Sequence, residues 1–303
     1  MSDNANDSVD VPRDADGKII VDPNDYNLDE EELAFLKSQT GITDEEVLKE
    51  HCIEVQAAAH KIYPYNCIRR FKFLRLKIAS LPAYPHLLKL GEERKGAIFL
   101  DIGCCFGNDV RKTVADGYPV ENVIASDLQA EFWQLGHQLF RSTPKTFPVP
   151  FLAGDAFDQN FLKRVPPFYT APETPAPDLQ VTGSLTPLLG YVSAIHASAF
   201  FHLFCEEQQF QLAQALAGLL SPKSGSIIFG AHVGRQESGF LIDGGIRRGS
   251  NMFCHSPESW AELWDGRIFK KGTVKVEAML EENARPAKAS LTTFRLCWSV
   301  TRL

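Results

Sequence analysis

The sequence predicts an α/β protein with a doubly wound, Rossmann-like sheet. From Ala97 onward, short apolar runs alternate with helical patterns, which is typical of βαβ units and a parallel sheet. The stretch AIFLDIGCCFGNDVRK, residues 97–112, reads as a buried strand that leads into a glycine-containing loop and then a helix. Acidic residues follow three successive predicted strands. These observations predict a ligand site at the carboxyl edge of the sheet.

The elements of this domain, assigned to residues 96–303, follow in regular order. Gly117 marks the end of the first helix after the glycine loop. Two β-rich runs, GTVKVEAML and LTTFRLCWSVTRL, predict a closing hairpin. The long segments 165–189 and 232–257 are predicted to be functional loops or disordered, and their role as lids or interfaces stays open. The predicted strands cover 97–102, 122–126, 149–152, 190–195 and 226–230, and the helices cover 108–116, 130–141 and 206–220.

Two further regions precede the sheet. Residues 1–25 are polar and Asp-rich, which predicts a disordered acidic tail. Residues 26–95 are predicted to form a helical cap made of two amphipathic segments, TDEEVLKEHCIEVQAAAHKIYPY and CIRRFKFLRLKIASL. Thr43 and Glu46 predict a capping box at the start of the first segment. The predicted buried stripe of that segment consists of Val47, Val55, Ala59 and Ile62.

Composition restricts the function classes. With 303 residues and 44% hydrophobic content, the chain can bury a full core. The net charge of -7 argues against a nucleic-acid partner, because phosphate binding needs a basic surface. Residues 1–60 hold sixteen acidic and four basic residues, so the rest of the chain is mildly basic. This basic charge suits an acidic small molecule as ligand; the alternative is that the acidic segment is simply solvated and binds nothing. We expect a cytoplasmic protein with no membrane span, disulfide or metal; a homodimer stays open.

The glycine loop does not fit a dinucleotide. A G-x-G-x-x-G fingerprint from Gly103 would need glycine where the chain has Cys105 and Asn108. Asp109 in the first helical turn would also repel a phosphate. The remaining pattern is D-x-G-x-x-x-G, formed by Asp101, Gly103 and Gly107. A carboxylate before the loop favours a ligand with a positive amine.

Two more acids follow the next two strands. Asp127 follows the strand VIAS, a position where a carboxylate can accept hydrogen bonds from both hydroxyls of a ribose. Asp155 follows the third strand, where it can accept from an adenine amino group or cap a short helix. Leu128 is expected to pack, against an adenine ring in the ligand interpretation, and Ala156 would contact that ring through its backbone N–H. Taken together, the acids favour a ligand crevice over a simple structural turn.

The arrangement resembles the class I S-adenosylmethionine-dependent methyltransferases over residues 95–300. PYNCIRRFKFL, LDIGCCFGNDVRK, VIASDLQAEFWQLGHQLF and AIHASAFFHLF are similar to a fungal group that acts on terpenoid-polyketide hybrids. The resemblance implies a seven-stranded sheet with one antiparallel strand, S-adenosylmethionine as cofactor, and methyl ester formation on a carboxylic acid. Cys105 departs from the glycine usual at that position. Alternatives are a phenol or carbon methyltransferase with His196 as base, and a non-methylating pericyclase-like or binding protein.

Further side chains outside the three acids are site candidates, each with a structural alternative. His196 follows the fourth strand, where this superfamily often places groups that face the substrate. His202 lies in the aromatic stretch FFHLF and is expected to pack, with substrate binding as the alternative. Tyr63 and Arg69 of the cap are candidates to close over the cofactor or to hold a carboxylate substrate, with surface packing as the alternative. Arg247 and Arg248, in the glycine-containing loop GGIRRG, are candidates to bind an anionic substrate or are simply solvated.

Overall fold

The computed structural model describes residues 25–241, 252–282 and 294–303. Seven strands form one sheet in the order β3-β2-β1-β4-β5-β9-β8, and β6 and β7 form a separate two-stranded ribbon. The doubly wound fold class and the closing hairpin are therefore confirmed. The strands are β1 (Ile98–Ile102), β2 (Val123–Asp127), β3 (Phe151–Ala153), β4 (Val192–His196), β5 (Ile227–Gly234), β6 (Gly239–Leu241), β7 (Met252–Cys254), β8 (Val274–Glu282) and β9 (Phe294–Arg302).

Parallel pairing brings the ends of the first strands together. β1 pairs with β2 and β4, with Asp101 opposite Ala125 on one side and His196 on the other. β2 pairs with β3, with Asp127 opposite Ala153. β9 runs antiparallel between β5 and β8. The carboxyl ends of β1 to β4 therefore lie side by side at one edge, where open α/β sheets bind ligands.

Helices cover both faces of the sheet. They are α1 (Glu30–Thr40), α2 (Glu45–Ile62), α3 (Asn66–Arg69), α4 (Tyr84–Glu93), α5 (Asn108–Ala115), α6 (Ala130–Leu139), α7 (Glu206–Leu219) and α8 (Pro257–Trp264). Ile98 and Leu100 of β1 pack toward α7 and α8, whereas Phe99 packs toward α4, α5 and α6, as strand alternation requires. The buried Trp260 and Trp264 belong to the α7/α8 side.

The start of α2 differs from the prediction. Asp44, not Thr43, caps the helix, and its side chain accepts from the backbone N–H groups of Glu46 and Val47 at 3.0 Å each. The predicted Thr43–Glu46 capping box is therefore wrong. Val47 is 53% exposed and lies outside the buried stripe, whereas the predicted Val55 and Ala59 are buried. The buried residues Leu48, Cys52, Val55 and Ala59 follow the helical spacing.

The second cap segment is not one amphipathic helix. Phe71 has φ 50°, a left-handed conformation that ends helical continuation after α3. Two short 3-10 turns, Lys72–Leu74 and Ile78–Ser80, replace the helix. The sequence reasoning also missed α1 and α4, although Asp29 and Glu32 form a capping box at the start of α1.

The cap packs against the glycine loop. Phe106 of the loop lies in one apolar cluster with residues of α1, α2 and α6. Its ring centroid is 4.6 Å from that of Phe73 and 5.7 Å from that of Phe132. The long segment 165–189 crosses the surface with a single 3-10 turn, and the acidic tail up to residue 24 lies outside the described residues. The cap therefore covers the carboxyl edge of the sheet near β1.

Candidate active site

The loop between β1 and α5 is a tight turn held to β2. Gly103 and Gly107 both have φ 75°, in the left-handed region that favours glycine. The N–H of Gly103 donates to the carbonyl of Ser126 at 2.8 Å. A Cβ on Gly107 would lie 2.5 Å from the Trp133 ring, so a larger residue does not fit there without movement. This geometry explains both glycines of the predicted motif.

Cys105 keeps the backbone conformation of a glycine. Its φ is 52°, although it carries a side chain. Burial raises the pKa of Cys104 and of Cys105 well above the usual value, and nearby carboxylates raise the pKa of each thiol further. Both side chains are therefore neutral thiols, which argues against an activated nucleophile at the helix N-terminus. All seven cysteines are free.

Asp127 joins the end of β2 to the loop. One carboxylate oxygen, Oδ2, accepts from the N–H of Cys105 at 2.9 Å, and Oδ1 accepts from the N–H of Gln129 at 3.0 Å. Burial raises the pKa of Asp127, while these two hydrogen bonds oppose the increase. A carboxylate oxygen has a second lone pair, so each oxygen can still accept from a ligand hydroxyl.

The residues after β2 and β3 lie beside Asp127. The N–H of Gly154 donates to the carbonyl of Asp127 at 3.0 Å. Leu128 is 57% exposed, which is unusual for leucine and leaves an apolar surface at the crevice. Asp155 is exposed, and its Oδ1 accepts from the N–H of Phe157 at 2.9 Å. Asp155 thus makes a local turn contact, but no helix follows it, so it is not the helix cap of the structural alternative. Ala156 is buried.

His196 lies between Asp101 and Ser198. Nδ1 of His196 is 2.8 Å from Oδ1 of Asp101, and Nε2 is 2.7 Å from Oγ of Ser198. Because a carboxylate only accepts, Nδ1 must carry a proton. Burial lowers the pKa of His196, but the charge and hydrogen bond of Asp101, together with Asp109, raise it overall. The imidazole is 2% exposed, so it does not face the crevice directly.

Asp109 fastens the cap to α5. Its Oδ1 accepts from the backbone N–H of Ile78 at 2.9 Å. Burial raises the pKa of Asp109, and the charges of His196 and Lys77 oppose this increase. The sequence reasoning assigned Asp109 a repulsive role toward anions and did not foresee this anchoring contact. The contact joins sequence-distant segments, so no local pattern could reveal it.

His202 is a neutral imidazole. Its Nδ1 accepts from the N–H of Val233 at 3.3 Å, so the proton lies on Nε2. Burial, together with the charges of Lys77 and Lys72, lowers the pKa of His202 to about 4. The adjacent Phe201 is buried in the aromatic cluster of α8. His202 is only partly buried, so its Nε2–H remains a donor in the 3-10 turn Phe201–Leu203 that follows β4.

The remaining candidates lie in the cap or outside the described residues. The Tyr63 ring centroid is 4.2 Å from that of Tyr65, and Tyr63 follows α2 directly. Arg69 ends α3 and is partly buried. Arg247 and Arg248 lie outside the residues that the structure describes.

Sequence reasoning missed Lys77. This partly buried residue precedes the 3-10 turn that Asp109 holds. Its charge lowers the pKa values of Asp109, His196 and His202. The basic run RRFKFLRLK, residues 69–77, was the available signal, but its exposed and inward-facing cations cannot be told apart without the fold.

The crevice fits the cofactor that the motifs imply. S-adenosylmethionine carries a sulfonium and an amine, which suit an edge lined by Asp101, Asp109 and Asp127. Asn108, in the first turn of α5, is 4% exposed, and its Oδ1 and Nδ2 have no partner in the described chain. Such a group needs a hydrogen-bond partner, which a bound ligand or an ordered water supplies. Among the described residues, no cluster of His, Cys, Asp or Glu could hold a metal, and no helix is long and apolar enough to cross a membrane.

Sequence comparisons identify relatives with named activities. Residues 21–74 match the meroterpenoid methyltransferase N-terminal domain. The chain is 31% identical over 290 residues to the asnovolin E/chermesin D methyltransferase nvfJ of Aspergillus novofumigatus, covering 94% of each chain. It is 34% identical over 219 residues to the O-methyltransferase phiE of a fungal species, covering 72% of this chain and 65% of that one. The O-methyltransferase atr3 of Stereocaulon alpinum is 32% identical over 260 residues, covering 86% of this chain and 67% of that relative.

Solved structures are more distant. An S-adenosylmethionine-dependent methyltransferase from Mesorhizobium loti has a TM-score of 0.43 and 15% identity, and the match covers 74% of this chain and 100% of that one. The assignment of the chain to a family therefore depends on the near full-length sequence match to nvfJ and on the strand order of the sheet. The chain therefore belongs to the family of fungal secondary-metabolite methyltransferases, enzymes with the class I S-adenosylmethionine-dependent fold.

Proposed function

We propose that this methyltransferase transfers the methyl group of S-adenosylmethionine to a carboxylate of an acidic terpenoid-polyketide molecule, forming a methyl ester. The observation that carries the proposal is that neither histidine near the crevice offers an open basic nitrogen. In His196, Nδ1 donates to Asp101 and Nε2 is bonded to Ser198. In His202, Nδ1 already accepts from Val233.

This arrangement favours an acceptor that needs no base. A carboxylic acid has an intrinsic pKa near 4 and is ionised at neutral pH, whereas a phenol, with a pKa near 10, must lose its proton. The relatives phiE and atr3 are O-methyltransferases, and nvfJ is a methyltransferase of asnovolin E and chermesin D, which supports O-methylation of a fungal metabolite. The net basic charge of the chain after residue 60 also suits an acidic substrate.

The residues at the strand ends have distinct roles in this proposal. Asp127 accepts from the ribose hydroxyls, and Leu128 packs against the adenine. Asp155 and the backbone of Ala156 contact the adenine edge, which requires Asp155 to keep a lone pair beyond its turn contact. Asp101 binds His196 through Oδ1, which leaves Oδ2 for the methionine amine.

Residues of the cap and of one loop complete this assignment. The left-handed backbone at Gly103 and Gly107 brings the turn close to the ligand. In this proposal Tyr63 and Arg69 close over the cofactor, and Arg247 and Arg248 are the candidates to bind the anionic acceptor.

The chemistry needs positioning more than proton transfer. When bound, the cofactor supplies an electrophilic methyl group on a sulfonium. The chain's contribution is to hold the acceptor oxygen about 3 to 3.5 Å from that methyl group and to keep water out. Phe200 lies against Gly103 at the crevice, since a Cβ on Gly103 would be only 3.0 Å from the Phe200 ring. The exposed face of Leu128 adds apolar surface on the other side.

The test uses methyl-labelled cofactor with farnesyl orsellinic acid as the acceptor. This acid carries one carboxylate and phenols on a polyketide ring with a terpenoid chain. We expect a labelled product whose label is released by mild alkali, because esters are saponified and aryl ethers are not. The methyl ester of the probe is the matched control and should accept no label. Label that survives alkali, or no transfer to the acid, would overturn ester formation.

A phenol acceptor is the second candidate, and one contact favours it. The chain Asp101–His196–Ser198 has distances of 2.8 and 2.7 Å, so the Ser198 hydroxyl could pass a proton to Nε2 of His196. Ser198 Oγ also accepts from the N–H of Ala231 at 3.1 Å, which fixes its position. The alkali test separates this candidate from the carboxylate reaction.

A further inference from the structure

The hydroxyl of Ser198 ends a chain of hydrogen bonds at the carboxyl edge of the sheet. Ser198 follows β4 by two residues and is partly exposed, whereas His196 and Asp101 are buried. The backbone N–H of Ala199 donates to the carbonyl of Ala231 at 2.7 Å, and the N–H of Ala231 donates to Oγ of Ser198 at 3.1 Å. The turn after β4 is therefore fixed to β5, and the hydroxyl has a defined position.

This turn lies against the glycine loop. A Cβ on Gly103 would be 3.0 Å from the ring of Phe200, two residues after Ser198. Asp101, whose Oδ1 is 2.8 Å from Nδ1 of His196, precedes the same loop, and its strand β1 pairs with β4. A nucleophilic oxygen must come within about 3 to 3.5 Å of the methyl group of a cofactor bound at this loop. The Ser198 hydroxyl therefore lies where the crevice must admit the acceptor.

The protonation of His196 decides what Ser198 offers to a ligand. The hydroxyl has one O–H and two lone pairs, and the N–H of Ala231 takes one lone pair. Nδ1 of His196 donates to Asp101, so in a neutral ring Nε2 accepts the O–H of Ser198 over the distance of 2.7 Å. In a protonated ring, Nε2–H instead takes the second lone pair of Oγ, and the O–H is free to donate to a ligand.

The surroundings of His196 favour the protonated ring overall. Asp101 in β1 and Asp109 in α5 raise the pKa of His196, while burial and the charge of Lys77 in the cap lower it. The ring of Phe229 in β5, with a centroid distance of 5.3 Å, carries no charge. The serine hydroxyl is then a donor, and a carboxylate is a stronger acceptor for it than a neutral carbonyl.

We propose that the Ser198 hydroxyl donates a hydrogen bond to the carboxylate of the acceptor, and that protonated His196 holds the hydroxyl in this orientation. This inference rests on the proposed carboxylate methylation. Ser198 thereby selects the ionised acid over its neutral ester. His196 is a positioning residue, because it acts on the acceptor through Ser198.

The proposal couples acid binding to a proton on Nε2 of His196. Acid affinity should therefore fall as the pH rises through the pKa of His196, whereas turnover at saturating acid should stay level. A phenol that uses His196 as its base requires the opposite protonation, so its reaction would become faster as the pH rises. The direction of the pH effect thus separates the two roles of the imidazole.

Calorimetry on enzyme loaded with S-adenosylhomocysteine measures the affinities of farnesyl orsellinic acid and its methyl ester. Ser198→Ala should weaken acid binding about ten- to hundredfold, with little change for the ester. Ser198→Thr keeps a hydroxyl and should retain most of the acid preference. The matched control is Ser38→Ala, which removes an exposed hydroxyl that donates to the carbonyl of Phe35 at 2.7 Å in α1, and it should keep the wild-type affinities.

The same titrations from about pH 6 to 8.5 test the role of His196. The ester retains the phenols of the acid, so it corrects for their ionisation. Above the pKa of His196, the acid affinity of the wild type should fall by up to about tenfold per pH unit, with uptake of up to about one proton per acid bound. Buffers with different ionisation enthalpies measure that uptake, which Ser198→Ala should largely lose.

Three results would overturn the inference. The first is a wild type without acid preference, or an unchanged preference in folded Ser198→Ala. The second is a wild-type acid affinity that is level or rises over this pH range. The third is a loss of S-adenosylhomocysteine affinity in Ser198→Ala with unchanged affinity for methylthioadenosine, which lacks the amino-acid part, because Ser198 would then bind the cofactor. Ester formation with an unchanged acid preference in Ser198→Ala contradicts only this inference, whereas label in an ether contradicts the proposed function itself.

Discussion

Replacement of His196 by glutamine tests whether the buried imidazole acts as a base or as a structural partner. The imidazole makes hydrogen bonds of 2.8 Å to Asp101 and 2.7 Å to Ser198 and is 2% exposed. Loss of one hydrogen bond to a charged group costs about 1.5 to 3 kcal/mol, and a buried charge with no partner costs about 3 to 5 kcal/mol. The glutamine amide can still donate to Asp101. We therefore expect His196→Gln to lose about 2 to 4 kcal/mol of unfolding free energy.

The activity of the folded fraction carries the mechanistic information. If the acceptor is a carboxylate, no proton leaves at the transition state, so turnover should stay within about tenfold of the wild type. A general base would instead contribute about two to four orders of magnitude. Label transfer at saturating cofactor, corrected for the folded fraction by circular dichroism, measures this difference. Ser198→Ala is the companion variant, because it removes the proton relay and leaves the Asp101 contact.

The pH dependence of the wild type gives an independent result. Asp101 and Asp109 raise the pKa of His196 above its ordinary value near 6.5. If His196 were the base, the rate would climb with pH through that raised pKa, because only the deprotonated ring can accept. A carboxylate acceptor predicts a rate that is flat from about pH 6 to 8. A rising limb, together with a loss of a hundredfold or more in both variants, would refute the carboxylate mechanism.

Three further predictions concern the loop, the core and the cofactor. Gly107→Ala should cost about 1 to 3 kcal/mol more stability than Gly41→Ala in denaturant unfolding, because both have φ above 70° but only Gly107 meets the Trp133 ring; equal losses would contradict this. Burial lowers the pKa of His255 to about 4, so the unfolded chain binds more protons between about pH 4 and 6.5. His255 should therefore cost about 2 kcal/mol of stability between about pH 7 and 5, and His255→Gln should flatten that pH slope. Asp127→Ala should weaken S-adenosylhomocysteine binding by about 1 to 3 kcal/mol in calorimetry, and unchanged affinity in a folded variant would remove Asp127 from the site.

The sheet could be predicted because its signals are local. Each parallel strand is a short apolar run, and β1 alternates Ile98 and Leu100 with Phe99 toward opposite cores. Since parallel strands end at one edge, the positions of Asp101 and Asp127 followed from the order of the elements. The two glycines also followed from their spacing, because only a left-handed turn joins this strand to this helix so tightly.

The partners of the site residues could not be predicted, because they depend on long-range register. Asp101 and His196 are 95 residues apart and meet because they are opposite each other in β1 and β4. The Asp109–Ile78 contact depends on how the cap docks on α5. In the cap itself, Val47 and Leu48 are adjacent apolar residues of α2, and only Leu48 continues the spacing of the buried Cys52, Val55 and Ala59.

The cap and the glycine loop act as one structural unit, and Cys105 shows why. Its backbone conformation would suit glycine, yet its side chain packs against the apolar cluster of the cap, next to Phe106. The backbone cost of a side chain at positive φ is offset by this contact. The N–H of the same residue donates to Asp127, so one residue joins the cap, the loop and the ribose-binding carboxylate of the proposed function. The family match at residues 21–74 covers much of the cap that makes this contact. The departure from glycine at position 105 is therefore coupled to the presence of the cap, because without the cap the side chain would lose its packing partners and only the strain would remain.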